Sequence, residues 1–379
     1  MDIINSDNIL SDTVAQKYRL AGSFASLVLD QITRQAVCAT STWTLCKLGD
    51  SLILDLCAKV YKTARYEKGI AEPTTISPQN CFLGYAPEQE QGAYILQVGD
   101  VVKISLGVHI DGYAALTCHT MVIPPVPAAP LTGPPANALC AVHYTIEALI
   151  KLLGSSNPSN PVTAKIIRDL VDEAAESFQV GIVTGSRVLR IRRFLTGQQT
   201  IFEDDAKIVE WTGTDDSSDW QVEIGEAWLL DIRMTTGPNK IRKHADLKST
   251  IFTRDVVNPY PPKLKTSKSL LSEINSVFPI NQTFLKTPRA RLGIQELVSH
   301  GILMATPVLC DSESSIVARQ VTTILLLKTQ VLRLITPLKP SWIQSPFEIK
   351  QTGIIARHLE SKVKVRQVDP TTLDKMDTT

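Results

Sequence analysis

Histidine, aspartate and cysteine side chains lie close together in one short stretch, where they could hold a metal ion or act as a catalytic pair. His109, Asp111 and His119 carry imidazole and carboxylate groups that divalent metals bind. Cys118 beside His119 suggests a nucleophile and its base, but adjacent strand residues point to opposite faces and cannot form a hydrogen-bonded dyad. Asp111 precedes Gly112 at a predicted turn, where Asp usually caps its own backbone. We therefore favour structural roles and keep a metal site as the alternative.

Arginines are concentrated in a second stretch of seven residues, with apolar residues between them. The planar guanidinium group can pair with two phosphate oxygens, so exposed arginines on a strand edge suit a phosphate backbone. Two further basic stretches follow, the second of them formed by Lys263, Lys265 and Lys268. We predict RNA binding, with a solvated charged face as the alternative. The predicted RNA-binding residues are Arg187, Arg190, Arg192, Arg193, Lys240, Arg242 and Lys243.

The helices and strands that must position these residues occur in an order that is repeated along the chain. Apolar residues at three- and four-residue spacing predict two amphipathic helices within 12–66. Alternating apolar residues on either side of Asp111-Gly112 predict a β-hairpin within 100–123. A second set follows, with helices at 136–153 and 162–178 and strands at 225–234 and 316–327. The repeated order predicts an α+β fold built from two similar halves.

Proline marks the boundary between the halves. Six prolines occur in 124–135, and proline removes backbone donors and fixes the chain. We predict a single domain over 12–335, composed of the halves 12–125 and 136–335, with a solvated acidic loop at 198–222 and a C-terminal extension at 336–379. Trp342 in that extension suits a partner anchor and the plug of a turn equally well.

Composition limits the classes of function. The chain has 379 residues with 39 Lys and Arg against 38 Asp and Glu, so a polyanion must be bound by a local patch rather than by net charge. Seven cysteines without a CxxC pair, and an acidic start where a secretory signal would be basic and then apolar, favour a reducing intracellular compartment. The most apolar strand-like stretch, 316–327, carries Arg319 and is too short to cross a bilayer, so we expect no membrane association.

Three segments resemble the methionine aminopeptidase family, whose fold is called pita-bread. They are KGIAEPTTISPQNCFLGYAP from Lys68, GDVVKISLGVHIDGYAALTCHTMVI from Gly99 and GEAWLLDIRMTTG from Gly225. The resemblance implies a pseudo-two-fold α+β pita-bread fold over most of the chain. Peptidases of this family hold two divalent metals with two aspartates, a histidine and two glutamates, and the metals polarise the peptide carbonyl and activate a shared water.

The resemblance places these ligand positions on residues that mostly cannot bind a metal. The five positions fall on Ser105, Leu116, Ser186, Asp231 and Val321, and the family's substrate-contacting histidine falls on Gly84. One carboxylate cannot hold a bridged metal pair. The expectation is therefore a metallopeptidase homologue with no catalytic residues, no metal and no cofactor.

Further segments resemble a branch of the family that lost its metals. KYRLAGSFAS from Lys17 is shared by two such branches, whereas GSRVLRIRRFLTGQ from Gly185 and KPSWIQS from Lys339 resemble the fungal nuclear export factors of the large ribosomal subunit precursor. This resemblance implies a non-catalytic ribosome biogenesis factor that binds the precursor near the polypeptide tunnel exit and accompanies it in nuclear export.

The resemblance also implies the partners and the location. The partners are ribosomal RNA and tunnel-exit proteins of the precursor, phenylalanine-glycine (FG) nucleoporins and cytoplasmic recycling factors, and the protein would shuttle between nucleus and cytoplasm. Two alternatives remain: an active metallopeptidase of the methionine aminopeptidase type, and a paralogue related to the proliferation-associated or curved-DNA-binding proteins.

Overall fold

The structure, a computed structural model, describes residues 10–63, 66–124, 130–197, 205–212, 220–274, 276–335 and 341–369. The helices are α1 (Asp12–Gln35), α2 (Thr42–Cys57), α3 (Pro134–Gly154), α4 (Ala164–Phe178), α5 (Lys265–Glu273), α6 (Ala290–Ser299) and α7 (Ile354–Leu359). The strands of the first half are β1 (Lys68–Pro78), β2 (Cys81–Leu83), β3 (Val101–Ile110) and β4 (Tyr113–Val122). The others are β5 (Gly181–Ile182), β6 (Arg187–Ile191), β7 (Ile208–Glu210), β8 (Ala227–Thr235), β9 (Arg242–Lys243), β10 (Ile251–Arg254), β11 (Ile280–Asn281), β12 (Leu303–Thr306), β13 (Leu309–Cys310), β14 (Val317–Leu327), β15 (Gln330–Arg333) and β16 (Val365–Gln367).

One large sheet runs through both predicted halves. Its strands follow the order β1-β3-β4-β14-β8-β6-β7, and β4 from the first half pairs directly with β14 from the second. Helices α1 and α2 pack against β1, β3 and β4, while α3 and α4 pack against the second half. The predicted sequence of two helices followed by strands in each half, and with it the α+β class, is confirmed.

The hairpin of β3 and β4 forms where the sequence predicts it. Asp111 and Gly112 both have positive φ, of 55° and 81°, which suits the tight turn that joins twisted strands. Gly112 is also needed for space, because a Cβ atom there would lie 2.7 Å from the ring of Phe194. The turn is therefore fixed both by backbone conformation and by contact with the second half.

The segment predicted as an acidic loop is partly structured. Its residues 198–204 and 213–219 lie outside the described part of the chain, but β7 pairs with β6, and Lys207 and Val209 are buried. The prediction of a solvated loop is wrong for this portion. The reason is that Lys207 donates to Glu226 and Glu223, which neutralises it at the sheet edge.

The C-terminal extension closes over the second half. Ile343 and Ile355 are buried in the core formed by α3, α4 and β8, and β16 adds to the sheet beside β15. Trp342 is half-buried against the same core, and its carbonyl accepts a hydrogen bond from the Leu131 amide. These contacts are those of a side chain that fills a turn of the C-terminal extension. Helix α3 is apolar and long enough to span a membrane, but 78% of its most apolar window is buried, which is typical of a core helix.

A smaller module contacts the large sheet at β1. Strands β10, β11 and β12 form a three-stranded sheet, and α5 and α6 pack against each other beside it. Its own small core contains Phe252, Leu270 and Leu297. This module supplies part of the wall of the cavity described below.

A buried acid in α2 gives the fold a testable dependence on pH. Asp50 is fully buried, the Thr74 amide donates to its Oδ1, and burial raises its pKa to about 7. The unfolded chain ionises Asp50 above about pH 4, whereas the folded chain keeps it protonated up to about pH 7, so stability falls as pH rises through this window.

We expect Asp50→Asn to gain up to about 4 kcal/mol of stability relative to the wild type between about pH 4 and pH 8. The measurement is urea unfolding of both proteins across this range. Asp55→Asn, an exposed change on the same helix, serves as the control. Parallel stability curves for wild type and Asp50→Asn would contradict the assignment.

Candidate functional site

Three of the predicted ligand positions lie in one line across the large sheet. Ser105 pairs with Cys118, Cys118 with Val321, Val321 with Asp231, and Asp231 with Arg187. Directly opposed residues share a face of a sheet, so these side chains form a continuous row. The neighbouring residues Trp228, Leu230 and Ile232 belong to the core with α3 and α4, so the row occupies the other face.

Asp231 is held by two arginines that the sequence analysis did not assign to the site. Arg319 donates from Nε and Nη2 to the two carboxylate oxygens at 2.8 and 2.9 Å. Arg233 donates to the same two oxygens at 3.1 and 2.5 Å. Burial alone would raise the pKa of Asp231, but Arg233 and Arg319 outweigh it and hold that pKa well below its usual range. The carboxylate is therefore ionised and saturated with hydrogen bonds.

The remaining ligand positions also have other roles. Arg319 donates from Nη1 to the Ser105 hydroxyl at 3.1 Å, and the Ser186 hydroxyl bonds to the backbone at Val183 and Arg233. Leu116 and Val321 are 1% exposed and pack in the core of the first half. Among the described residues, no group of three His, Cys, Asp or Glu side chains could hold a metal ion. This donor set does not fit the metal pair that the peptidase resemblance implies.

The position of the substrate histidine cannot accept a side chain in this backbone. Gly84 has φ of 76°, and a Cβ atom there would lie 2.6 Å from the Pro307 carbonyl oxygen. Both the left-handed conformation and the close approach require glycine. A histidine at this position would therefore clash with the backbone at Pro307, which lies between β12 and β13.

We expect Gly84→Ala to cost about 2–4 kcal/mol, because strain at positive φ and a backbone clash add together. Gly92 provides a matched control, since its φ is 82° but no atom lies within 4 Å of an added Cβ. Gly92→Ala should therefore cost about 1 kcal/mol. Thermal or urea unfolding of both variants gives the comparison, and equal losses would contradict the steric argument.

The four arginines predicted to face phosphate are largely shielded. Their side chains are between 10% and 31% exposed, and each contacts a carboxylate. Arg190 and Arg192 bond to Asp205, Arg193 bonds to Asp111, and Arg187 lies beside Asp231. The prediction of an exposed arginine surface at 187–193 is therefore wrong. The physical reason is that Arg187 and Arg190 lie on β6, between β7 and β8 in the sheet, and Arg192 and Arg193 follow it directly, so these partly buried guanidinium groups need anionic partners.

The other predicted RNA-binding residues are exposed. Lys240, Arg242 and Lys243 lie on and beside β9, and only Arg242 has an ion-pair partner among the described residues, Glu313 at 3.4 Å. Lys263, Lys265 and Lys268, at the start of α5, are exposed as well. These two groups are the basic surfaces that an external polyanion could reach.

The histidines and aspartate of the hairpin have structural roles. His109 is buried, its ring packs at a tilt against Phe278 with ring centres 4.3 Å apart, and its pKa is lowered to about 3 by burial. Asp111 accepts from Lys17 Nζ at 2.6 Å and from Arg193. His119 pairs with Ile104, five strand positions away from His109, which lies opposite Ala114. The structure does not bring the three together as a metal site.

Comparison with known proteins identifies the family. The model of metallopeptidase family M24 matches residues 16–188. The chain is 38% identical to "Probable metalloprotease arx1" of Schizosaccharomyces pombe, covering 91% of this chain and 93% of the relative, and 31% identical to "Proliferation-associated protein A" of Dictyostelium discoideum, covering 97% and 95%.

Solved structures show the same fold. A thermophilic Arx1 superposes with a TM-score of 0.82 at 24% identity over 93% of this chain and 99% of that one. Methionine aminopeptidase from Rickettsia prowazekii superposes with a TM-score of 0.53 at 15% identity over 86% of this chain and 99% of that one, which shows the shared fold. The predicted pita-bread fold is confirmed, and the chain belongs to the Arx1 proteins within metallopeptidase family M24.

Proposed function

We propose that this protein is a non-catalytic ribosome biogenesis factor that binds the precursor of the large ribosomal subunit. The non-catalytic part of this proposal rests on one observation. Arg233 and Arg319 both donate hydrogen bonds to Asp231, the one carboxylate among the predicted ligand positions. A carboxylate held by four charge-assisted hydrogen bonds has no lone pair directed at a metal. The ribosomal part rests on the membership of the Arx1 proteins.

The proposal extends to nuclear export. Docking near the tunnel exit, contact with FG nucleoporins, release by cytoplasmic recycling factors and shuttling between nucleus and cytoplasm are what the family resemblance implies for this chain. The test is affinity purification of the full chain followed by sedimentation. Co-sedimentation with nuclear large-subunit precursors, and not with mature subunits alone, is the expected result. Recovery with DNA or with mature subunits alone would favour the proliferation-associated alternative.

The exposed basic surface suggests where RNA is bound. We define the β9 patch as the exposed residues Lys240, Arg242 and Lys243, of which the last two form the short strand β9. Each phosphate contact releases condensed counterions, so RNA affinity should fall steeply with salt. Exposed cations contribute little to stability, which allows them to be removed without unfolding the chain.

Replacing all three residues of the β9 patch by Ala should weaken binding to purified precursor particles and flatten the salt dependence by up to about three units of slope. The melting temperature should stay close to that of the wild type. Lys59, Lys165 and Lys328, which are also exposed, give a control triple of equal charge change. Equal salt slopes for the two triples would remove the β9 patch from the interface.

A further inference from the structure

A cavity of about 340 Å³ opens onto the arginine cluster. Arg187, Arg233 and Arg319 contribute to its wall, and much of the remaining lining is apolar, including Leu83, Ile251 and Met304. Ligand cavities in proteins begin at about this volume, combining apolar walls with a few placed polar groups. The cavity therefore has the size and composition of a binding site for a small ligand.

Arg187 is the least fully paired of the three arginines in the cavity wall. Arg233 and Arg319 share the one carboxylate of Asp231, while Arg187 approaches it only to 3.9 Å from Nε. That Nε is buried and makes no hydrogen bond in the described part of the chain, although Nη1 donates to the Gly197 carbonyl. Burial also lowers the pKa of Arg187, and Asp231 only partly offsets this. Arg187 thus keeps one N–H donor without an acceptor, on a guanidinium group that lines the cavity.

Two acids, Glu72 and Glu210, also line the cavity. Glu72 is 8% exposed, its side chain makes no hydrogen bond among the described residues, and its pKa is raised by burial. Glu210 is half-buried. Among the described residues neither glutamate forms an ion pair with Arg187, whose one carboxylate neighbour within 4 Å is Asp231.

We propose that this cavity binds a carboxylate attached to a small apolar body, with the carboxylate at Arg187 and Arg233. A peptide supplies that chemistry either as its C-terminus or as an acidic side chain. The guanidinium fork matches the two carboxylate oxygens, and the apolar lining covers the attached side chain. A bare inorganic anion would leave the apolar lining unused.

Isothermal titration of the full chain with four probes tests the proposal. The probes are N-acetyl-Ala-Leu with a free carboxylate, the same dipeptide as its C-terminal amide, N-acetyl-Asp-Leu amide and inorganic phosphate. At least one carboxylate probe should bind about tenfold or more tightly than N-acetyl-Ala-Leu amide. Preference for the first probe assigns a C-terminus, and preference for the third assigns an acidic side chain. Equal binding of acid and amide, phosphate binding as tight as either carboxylate, or no carboxylate binding would overturn the proposal.

Substitutions at Arg187 and Met304, with one control substitution, locate the site. Arg187→Gln should weaken the carboxylate probe about tenfold or more, and Arg187→Lys should restore part of the loss because the charge returns without the fork. Lys165→Gln, an equal charge change at an exposed residue outside the cavity, should leave binding unchanged. Met304→Trp narrows the apolar side without touching the arginines and should also reduce binding. Folded Arg187→Gln and Met304→Trp proteins that bind as the wild type does would refute the site. No ribosomal particle is used, so failure here leaves the proposed docking function standing.

Discussion

Replacing Asp231 by Asn should lower the free energy of unfolding by about 3–5 kcal/mol, because it leaves two buried guanidinium groups without their counter-charge. The side chains of Asp231, Arg319 and Arg233 are only 1%, 4% and 7% exposed, so water does not screen the lost interaction. Asn keeps the shape of the side chain but accepts at one oxygen and carries no charge. The measurement is urea unfolding at neutral pH.

The charge of Asp231 also fixes the pH dependence of this effect. Its folded pKa is depressed by the arginines, so its stabilisation is present above the unfolded pKa of about 4 and declines as pH falls below it. The difference between wild type and Asp231→Asn should therefore shrink in acid. Asp246→Asn, an exposed change, is the control. A loss below about 0.5 kcal/mol for Asp231→Asn would show that the carboxylate does not hold the cluster.

A double-mutant cycle separates the ion pair from other effects. Arg319→Met alone leaves Asp231 with Arg233, and adding Arg319→Met to Asp231→Asn removes one of the two unpaired cations. The double variant should therefore lose less stability than the sum of the single losses. Because Asp231 stabilises the fold, a loss of function in an Asp231 variant would not be evidence for a catalytic role.

Local patterns in the sequence predicted the elements of this fold well. The alternation on either side of Asp111-Gly112 specified the hairpin, and the spacing of apolar residues specified α1 to α4. Both signals depend on residues close in the chain, where periodicity reports directly on which face is buried. The prediction of a solvated acidic loop was wrong for β7, because β7 pairs with β6, a strand about twenty residues earlier in the chain.

Long-range pairing explains what the sequence did not reveal about the site. Arg187 and Asp231 lie opposite each other only because β6 and β8 are neighbours in the sheet. The sequence shows four closely spaced arginines but not their carboxylate partners, so exposure was the natural expectation and was wrong for them. Arg233 and Arg319 could have been suspected, because each lies inside an otherwise apolar strand, and a charge in such a strand needs a buried partner.

The ligand positions were assigned by resemblance to the peptidase family. Ser105, Val321 and Asp231 do share one row of the sheet. The resemblance did not indicate which side chains surround these positions. Arg319, two residues before Val321 on β14, donates hydrogen bonds to both Ser105 and Asp231. Guanidinium groups thus lie beside the residues on which the peptidase resemblance places metal ligands, and they supply positive charge there.

The second large effect concerns catalysis. We expect no hydrolysis of peptides with an N-terminal methionine above the buffer rate, with or without added divalent metal. Ser105, Leu116 and Val321 provide no anionic or imidazole ligand. The carboxylate of Asp231 is already fully hydrogen-bonded to arginines. The assay uses the full chain with Mn²⁺, Co²⁺ or Zn²⁺, beside an active methionine aminopeptidase as positive control. Metal-dependent release of methionine, retained after removal of contaminating proteins, would contradict this expectation.

Metal content per chain tests the central claim most directly, since it asks whether the arginine cluster has replaced the metal pair. The purified full-length protein is incubated with excess Mn²⁺, Co²⁺ or Zn²⁺, freed of unbound ions by gel filtration and measured by elemental analysis. The arrangement of Arg233, Arg319 and Asp231 predicts well under one equivalent of each metal per chain. About two equivalents of bound metal per chain would show that the ligand positions still hold a metal pair and would contradict the account.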